Sequence, residues 1–487
     1  MEEAHKIAKN AHTKPQDLNW PLLSWSVFLF LFFGSLFAAF GFPFGPLVLV
    51  VGALLLFITY RAIYSIYYVS IFFSIFLGIT LSIPTGSLNI GERAFGGSID
   101  IFFGELLILA VLAVWMVKVF LLWFKRRDIN WKPVLPIWRS YLLLVFAHLV
   151  SVFSSYEPDP VIVIKFVLRP VVFCYVAFIA LPANLIRSKR RLRSVLGVMS
   201  GIGALAAING LVSLAMVEPY SWAIRRAHPT TVFGINPLGD NHNLLAELLV
   251  MIAPMTLALA FMSKKIKTQY FLYALAGFQV LIALLTFART AWIVMLFEVV
   301  FLSLTIWREA LKKHLISIIA IILFLIPLAL YQLQFSFSYT AQSSNSTRWM
   351  LTDIAWNAFL EHPIIGGGAG TFIWRVGNAQ IFLQEFGWPL DAHGFIQKLM
   401  SETGGFGLLA YAVVLIAAAK YFWDKQKNIH GKESTIVYLL AAAASGAVIY
   451  QFFNTAYWTS HLWLPIGILF AALLLFDKKE KVDSEPF

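Results

Sequence analysis

One feature constrains this chain more than any other. Apolar runs of about 20 residues recur along its length, each bounded by a short polar break, and that is the length needed to cross a ~30 Å hydrocarbon core as a helix. "IFFGELLILAVLAVWMVKVFLLWF" at 101–124 is one such run. A membrane barrel would instead alternate apolar and polar residues over about 10 positions. Charge is scarce, at 13% of residues against the roughly 25% of a soluble domain. The expected fold is an all-α polytopic membrane protein.

Segmentation predicts about 14 transmembrane helices. They lie near 22–40, 44–60, 64–83, 101–124, 134–154, 161–183, 194–216, 242–262, 269–287, 291–307, 315–333, 395–422, 435–455 and 462–476. An even number puts both termini on one side. Basic residues concentrate in alternate loops, among them "FKRRDINWK", "RSKRRLR", "SKKIK" and "KQKNIHGK". The positive-inside rule assigns those loops to the cytoplasm. The net charge of +12 is therefore a topology signal. No stretch combines a basic groove with stacking aromatics, so no nucleic-acid partner is expected. The polar N-terminus has no signal-cleavage pattern and reads as a cytoplasmic tail. The one cysteine, Cys174, sits in an apolar run and reads as a packing residue.

The opposite face carries three longer loops, 84–100, 217–241 and 334–394. The basic residues of this face are Arg93, Arg225, Arg226, Arg348 and Arg375 in those loops and Arg289 in a short inter-span turn, with no lysine in the three loops. Guanidinium is a rigid fork that matches phosphate oxygens, whereas an ammonium is a point charge. Arg289 is pinned at headgroup depth, where a lipid phosphate would sit. Inside the sixth span, Lys165 and Arg169 are intramembrane charges, candidates for lining a lipid groove or for pairing with Glu298.

The 334–394 loop is too long to be structureless. In "STRWMLTDIAWNAFLEHP", Trp349, Met350, Ile354, Ala358 and Phe359 recur at helical spacing. Arg348, Thr352, Asp353, Asn357 and Glu361 fall towards the other side, and Pro363 is a stop. The "GGGAG" run at 366–370 reads as a tight turn in preference to a phosphate cradle. Asp391 and His393 then stand at the mouth of the twelfth span.

Four segments in order resemble the O-antigen ligase and polysaccharide polymerase family. They are "GINPLGDNHNLLAELLVMIAPM" with Asn243, "LLTFARTAWIVML" with Arg289, "STRWMLTDIAWNAFLEHPIIGGGAGTF" with Arg348, and "AHGFIQKLMSETGGFGLLAY" with His393. Gly394 follows the histidine where the family usually has a polar residue. The resemblance covers residues 230–415 and implies a GT-C-like membrane fold. It also implies transfer of a glycan from an undecaprenyl-diphosphate carrier to a sugar hydroxyl, at the outer face of the bacterial inner membrane. It further implies a metal-independent, inverting reaction with no cofactor, in which Arg289 and Arg348 hold the diphosphate and His393 is the base. Arg169, Arg225, Asn243 and Asp391 join them as candidate substrate contacts, and Glu402 and Glu247 are alternative bases. Ligase and polymerase remain equally open.

The expected organisation is a transmembrane bundle over 1–216, a catalytic membrane region over 217–476 that includes the 334–394 loop, and a cytoplasmic tail over 477–487. The rival class is a secondary transporter of an anionic or lipid-linked substrate. It would suit the helix count but not the absence of an internal repeat.

Overall fold

The computed structural model describes residues 45–76, 80–84, 98–125, 133–155, 166–216, 226–232, 238, 241–306, 323, 327, 330, 334, 339–454 and 459–477. The expected span 22–40, nearly all of 315–333, Lys165, Arg93, Arg225, the Arg169 side chain and the tail beyond 477 lie outside the described residues.

The chain folds as packed helices. α1 (Gly45–Arg61) and α2 (Ile63–Ile75) form a pair bent by 117°. A two-stranded antiparallel ribbon follows, β1 (Thr80–Pro84) and β2 (Ser98–Phe102), pairing Thr80 with Phe102 and Pro84 with Ser98. This ribbon departs from the expected all-α fold. It takes the C-terminal end of the predicted 64–83 span, where "TLSIP" is too short to continue a helix and pairs its backbone across the ribbon instead. Next come α3 (Phe103–Lys125) and α4 (Trp138–Val150). The 167–185 stretch, α5, winds in π turns over Val167–Val172 and Val176–Ala180. Pro170 has no N–H to give, so the regular i→i−4 ladder cannot run through the first of these turns.

The C-terminal half is more regular. α6 (Lys189–Ala215), α7 (His242–Met262), α8 (Ile266–Leu285) and α9 (Arg289–Thr305) lead to the loop helices α10 (Tyr339–Glu361), α11 (Phe372–Gly377) and α12 (Gln380–Phe386). The long α13 (Phe395–Gln426), α14 (Lys432–Gln451) and α15 (Ser460–Phe476) complete the fold. Of the fourteen expected spans, six are helices of at least 18 residues apolar enough to cross a membrane: α3, α6, α7, α8, α13 and α14. The others within the described residues are shorter or broken helices. The chain is a multi-pass helical membrane protein.

α7 is the axis of the C-terminal half, packed against α6, α8 and α14. It carries a buried Pro254 and is covered on nearly all sides. α8, α9 and α13 instead turn large apolar side chains outward, among them Leu281, Leu296 and Ile416. Lipid is the natural solvent for such a surface. The helices run antiparallel, so one end of the bundle gathers the starts of α7, α9, α13 and α15, and the other gathers the basic residues. At that second end Lys189 pairs with Glu433, Arg193 donates to the Met262 carbonyl at 2.9 Å, and Lys425 lies 3.2 Å from Asp477. The two ends are separated by the length of α7, ~30 Å at 1.5 Å per residue.

Candidate active site

The site forms where helix starts converge. A tight turn after α8, with Phe287 at φ +53, sets Arg289 as the first residue of α9. Ala288 at the N-cap offers no side-chain acceptor, and neither does Gly394 ahead of α13. The first backbone N–H groups of both helices therefore lack a side-chain cap and carry the positive end of a helix dipole. α7 is capped differently, with Asn241 Oδ1 accepting from the Asn243 N–H at 2.9 Å.

The covering loop supplies the second guanidinium. Arg289 Nη2 donates to Asn345 Oδ1 on α10 at 3.0 Å. Arg348 follows Asn345 by three residues, which places it on the same face of α10. Its Nε is buried and has no hydrogen-bond partner among the described residues. Burial, then the nearby Arg289, hold the Arg348 guanidinium below its usual range. Guanidinium is not deprotonated in proteins, so both side chains are cations. Two cations held this close repel unless an anion joins them.

His393 stands beside Arg348. Burial and then the Arg348 charge pull its pKa below the ordinary 6.5, while Asp391 opposes them. The imidazole is thus neutral at pH 7 and able to accept a proton. Asp391 does not compete for that role, because both its oxygens lie 2.7 Å from Lys398 Nζ. Lys398 also stands 3.4 Å from Glu402 on the same helix.

Glu402 is locked in turn. It is fully buried, and its Oε1 accepts the Phe372 N–H at 3.1 Å. The glycine run packs directly over it. Gly366 takes φ +70, and a Cβ there would stand 2.3 Å from the Glu402 carbonyl carbon. Gly367 and Gly368 donate to the carbonyls of Ser401 and Glu402 at 2.8 and 3.0 Å. These carbonyls are free because α13 breaks at Gly404, which takes φ +65. The glycines therefore form a turn docked on a helix break, with their N–H groups spent on protein carbonyls.

Glu247 is equally committed. Gln451 and Asn454 donate to its two oxygens at 2.7 and 2.6 Å, and His461 lies 3.6 Å away. Neither alternative base is available. Asn243 sits in the first turn of α7, where its carbonyl accepts the Tyr450 hydroxyl at 2.8 Å. Arg375 pairs with Glu361 away from this centre. Glu298 is buried between α9 and α14, and its Oε1 has no hydrogen-bond partner among the described residues.

The loop helix α10 (Tyr339–Glu361) has one face against the protein. The buried face of α10 is Thr347, Leu351, Ala355 and Ala358, while Trp349 is 70% exposed and Trp356 50%. Small residues let α10 approach α13 closely, and Leu351 and Ala355 pack with Phe372, Val376 and Phe382. Size at the contact won over hydrophobicity. Lys398 was missed. Its signal in the sequence is a lysine four residues before a glutamate inside an apolar helix.

Arg289, Arg348, Asp391 and His393 thus meet at one end of the bundle, the end opposite the lysine-rich one. Residues 272–412 match the family model described as O-antigen ligase. The match runs from α8 into α13 and contains all four. It bears out the resemblance read from the motifs and supports glycan transfer of the O-antigen ligase or polymerase type. No curated protein matches the chain.

Proposed function

We propose, from the kinship of residues 272–412 with O-antigen ligases, that this protein moves a glycan from an undecaprenyl-diphosphate carrier to a sugar hydroxyl at the outer face of the inner membrane. The observation that carries this reading is the meeting of two guanidiniums with no carboxylate partner among the described residues, Arg289 and Arg348, with the neutral imidazole of His393.

The chemistry follows from those groups. The acceptor hydroxyl gives its proton to an imidazole nitrogen of His393, and its oxygen forms a bond to the anomeric carbon. The bond from that carbon to the diphosphate oxygen breaks, and the electron pair leaves with the diphosphate. Attack from the face opposite the leaving group inverts the anomeric centre. Charge grows on the bridging oxygen, where Arg289, Arg348 and the start of α9 stabilise it. Losing one such donor commonly costs about 10²–10³ in rate. No step calls for a metal. Lys398 holds Asp391 away from the proton transfer, and the apolar outer surface of α8 and α9 gives the carrier chain a lipid-side approach.

Purified protein in detergent, supplied with undecaprenyl-diphosphate-glycan and candidate acceptors but no ion gradient, is expected to form a glycosylated acceptor and release undecaprenyl diphosphate, read by mass spectrometry. His393→Ala should abolish this while the protein stays folded. Donor left intact with every acceptor, or full turnover by His393→Ala, would refute the reading.

A further inference from the structure

A second histidine besides His393, His242, is within electrostatic reach of Arg348. Arg226 Nη1 lies 3.4 Å from His242 Nε2. Arginine can only donate, so this imidazole nitrogen accepts and His242 is neutral. His242 is within electrostatic reach of Arg226, Arg348 and His228, whereas His393 is within reach of Arg348 and Asp391. Arg348 is common to both groups.

The Arg226 arm is fixed by its own hydrogen bonds. The Ala227 N–H donates to the Leu285 carbonyl at 2.8 Å, at the end of α8 just before the Arg289 turn. The His228 N–H donates to Ser213 Oγ at 3.0 Å. Asn209 clamps Thr230 from both sides, accepting its N–H at 2.9 Å and donating to its carbonyl at 3.1 Å. Backbone anchoring on three sides holds Arg226 and Arg289 at the same rim. One phosphate is matched by two guanidiniums, and a third guanidinium beside the start of α7 suits a ligand with a second anionic group.

Resting on the proposed carrier reading, we infer that Arg226 and His242 bind the lipid-side phosphate of the carrier diphosphate. The donor then lies in one direction across the site. Its sugar is at His393, its sugar-side phosphate at Arg348 and Arg289, and its lipid-side phosphate at Arg226 and His242. The match to O-antigen ligases does not reach Arg226 or His242.

The test is equilibrium binding of undecaprenyl diphosphate and of undecaprenyl monophosphate to the purified full chain in nanodiscs. The wild type should prefer the diphosphate. Arg226→Ala should weaken diphosphate binding by ~10–100-fold, the worth of a charge-assisted hydrogen-bond pair, and change monophosphate binding by less than ~3-fold. Arg226→Lys should recover part of the loss, and His242→Ala should show the same selectivity in smaller degree. Arg348→Ala should weaken both ligands. If a normal wild-type preference survives Arg226→Ala, or if Arg226→Ala weakens both ligands alike, the inference is overturned and the carrier reading stands. If the wild type fails to prefer the diphosphate, both fall. Arg226→Gln serves in place of Arg226→Ala should the latter not fold.

Discussion

Lys398→Met tests how the site keeps its base neutral. Lys398 is 3% exposed and bridges Asp391, 31% exposed, and Glu402, fully buried. Methionine keeps the volume and removes the charge. Breaking a buried pair by deleting one partner costs ~3–5 kcal/mol, because the other charge stays behind. Here the cost falls mainly on Glu402, which retains only the backbone N–H groups of Gly370 and Phe372 and has a buried Oε2 with no partner among the described residues. Asp391 can rehydrate, so its share is small. The expected loss is therefore at the lower end of that range, ~3 kcal/mol, with part recovered in Lys398→Met/Glu402→Gln. A second effect falls on His393. Asp391, freed of its lysine, raises the imidazole pKa that burial and Arg348 hold below 6.5. A base works when unprotonated, so activity fails as pH falls through its pKa, and a higher pKa moves the acid limb upward. Asp391→Asn removes the one contribution that raises His393 and should move the limb downward. Thermal unfolding in detergent and the pH profile of transfer rate read the two effects. Wild-type stability in Lys398→Met, or acid limbs that move in the same direction in both variants, would refute the reasoning.

Three further outcomes are expected. Arg289→Ala should lower the transfer rate by ~10²–10³, and Arg289→Lys should recover only part because an ammonium lacks the fork, measured by single-turnover kinetics. Gly366→Ala should cost more than ~2 kcal/mol, since its Cβ would stand 2.3 Å from Glu402 at φ +70, whereas Gly277→Ala, with open space around it, should be near neutral or stabilising. Thermal denaturation of the two variants checks this. In a Cys174→Ala background, a cysteine at Trp388 should react with a membrane-impermeant maleimide added outside the inner membrane, and a cysteine at Lys265 only after permeabilisation. The reverse pattern would place the site on the cytoplasmic side.

The motif arginines and the histidine were legible because each sits at a forced position: Arg289 in a short turn, Arg348 on the first amphipathic helix of a long loop, His393 before a span. Lys398, Arg226 and His242 were harder to read. Their meaning depends on a partner seven to sixteen residues away or on another helix. On α10 the packing against the protein uses the small side chains of Ala355 and Ala358, while Trp349 faces outward. Glu402 and Glu247 read equally well as free acids until their donors were placed.

The sequence by itself determined a helical membrane architecture and the positions of its most regular helices. Hydrocarbon thickness and the need to satisfy every backbone hydrogen bond internally leave few alternatives for long apolar runs. Only the tertiary structure decided which charges are neutralised and which are left to face a ligand. That depends on distances of a few ångströms between separate helices, and Coulomb energy and hydrogen bonding change steeply over that range.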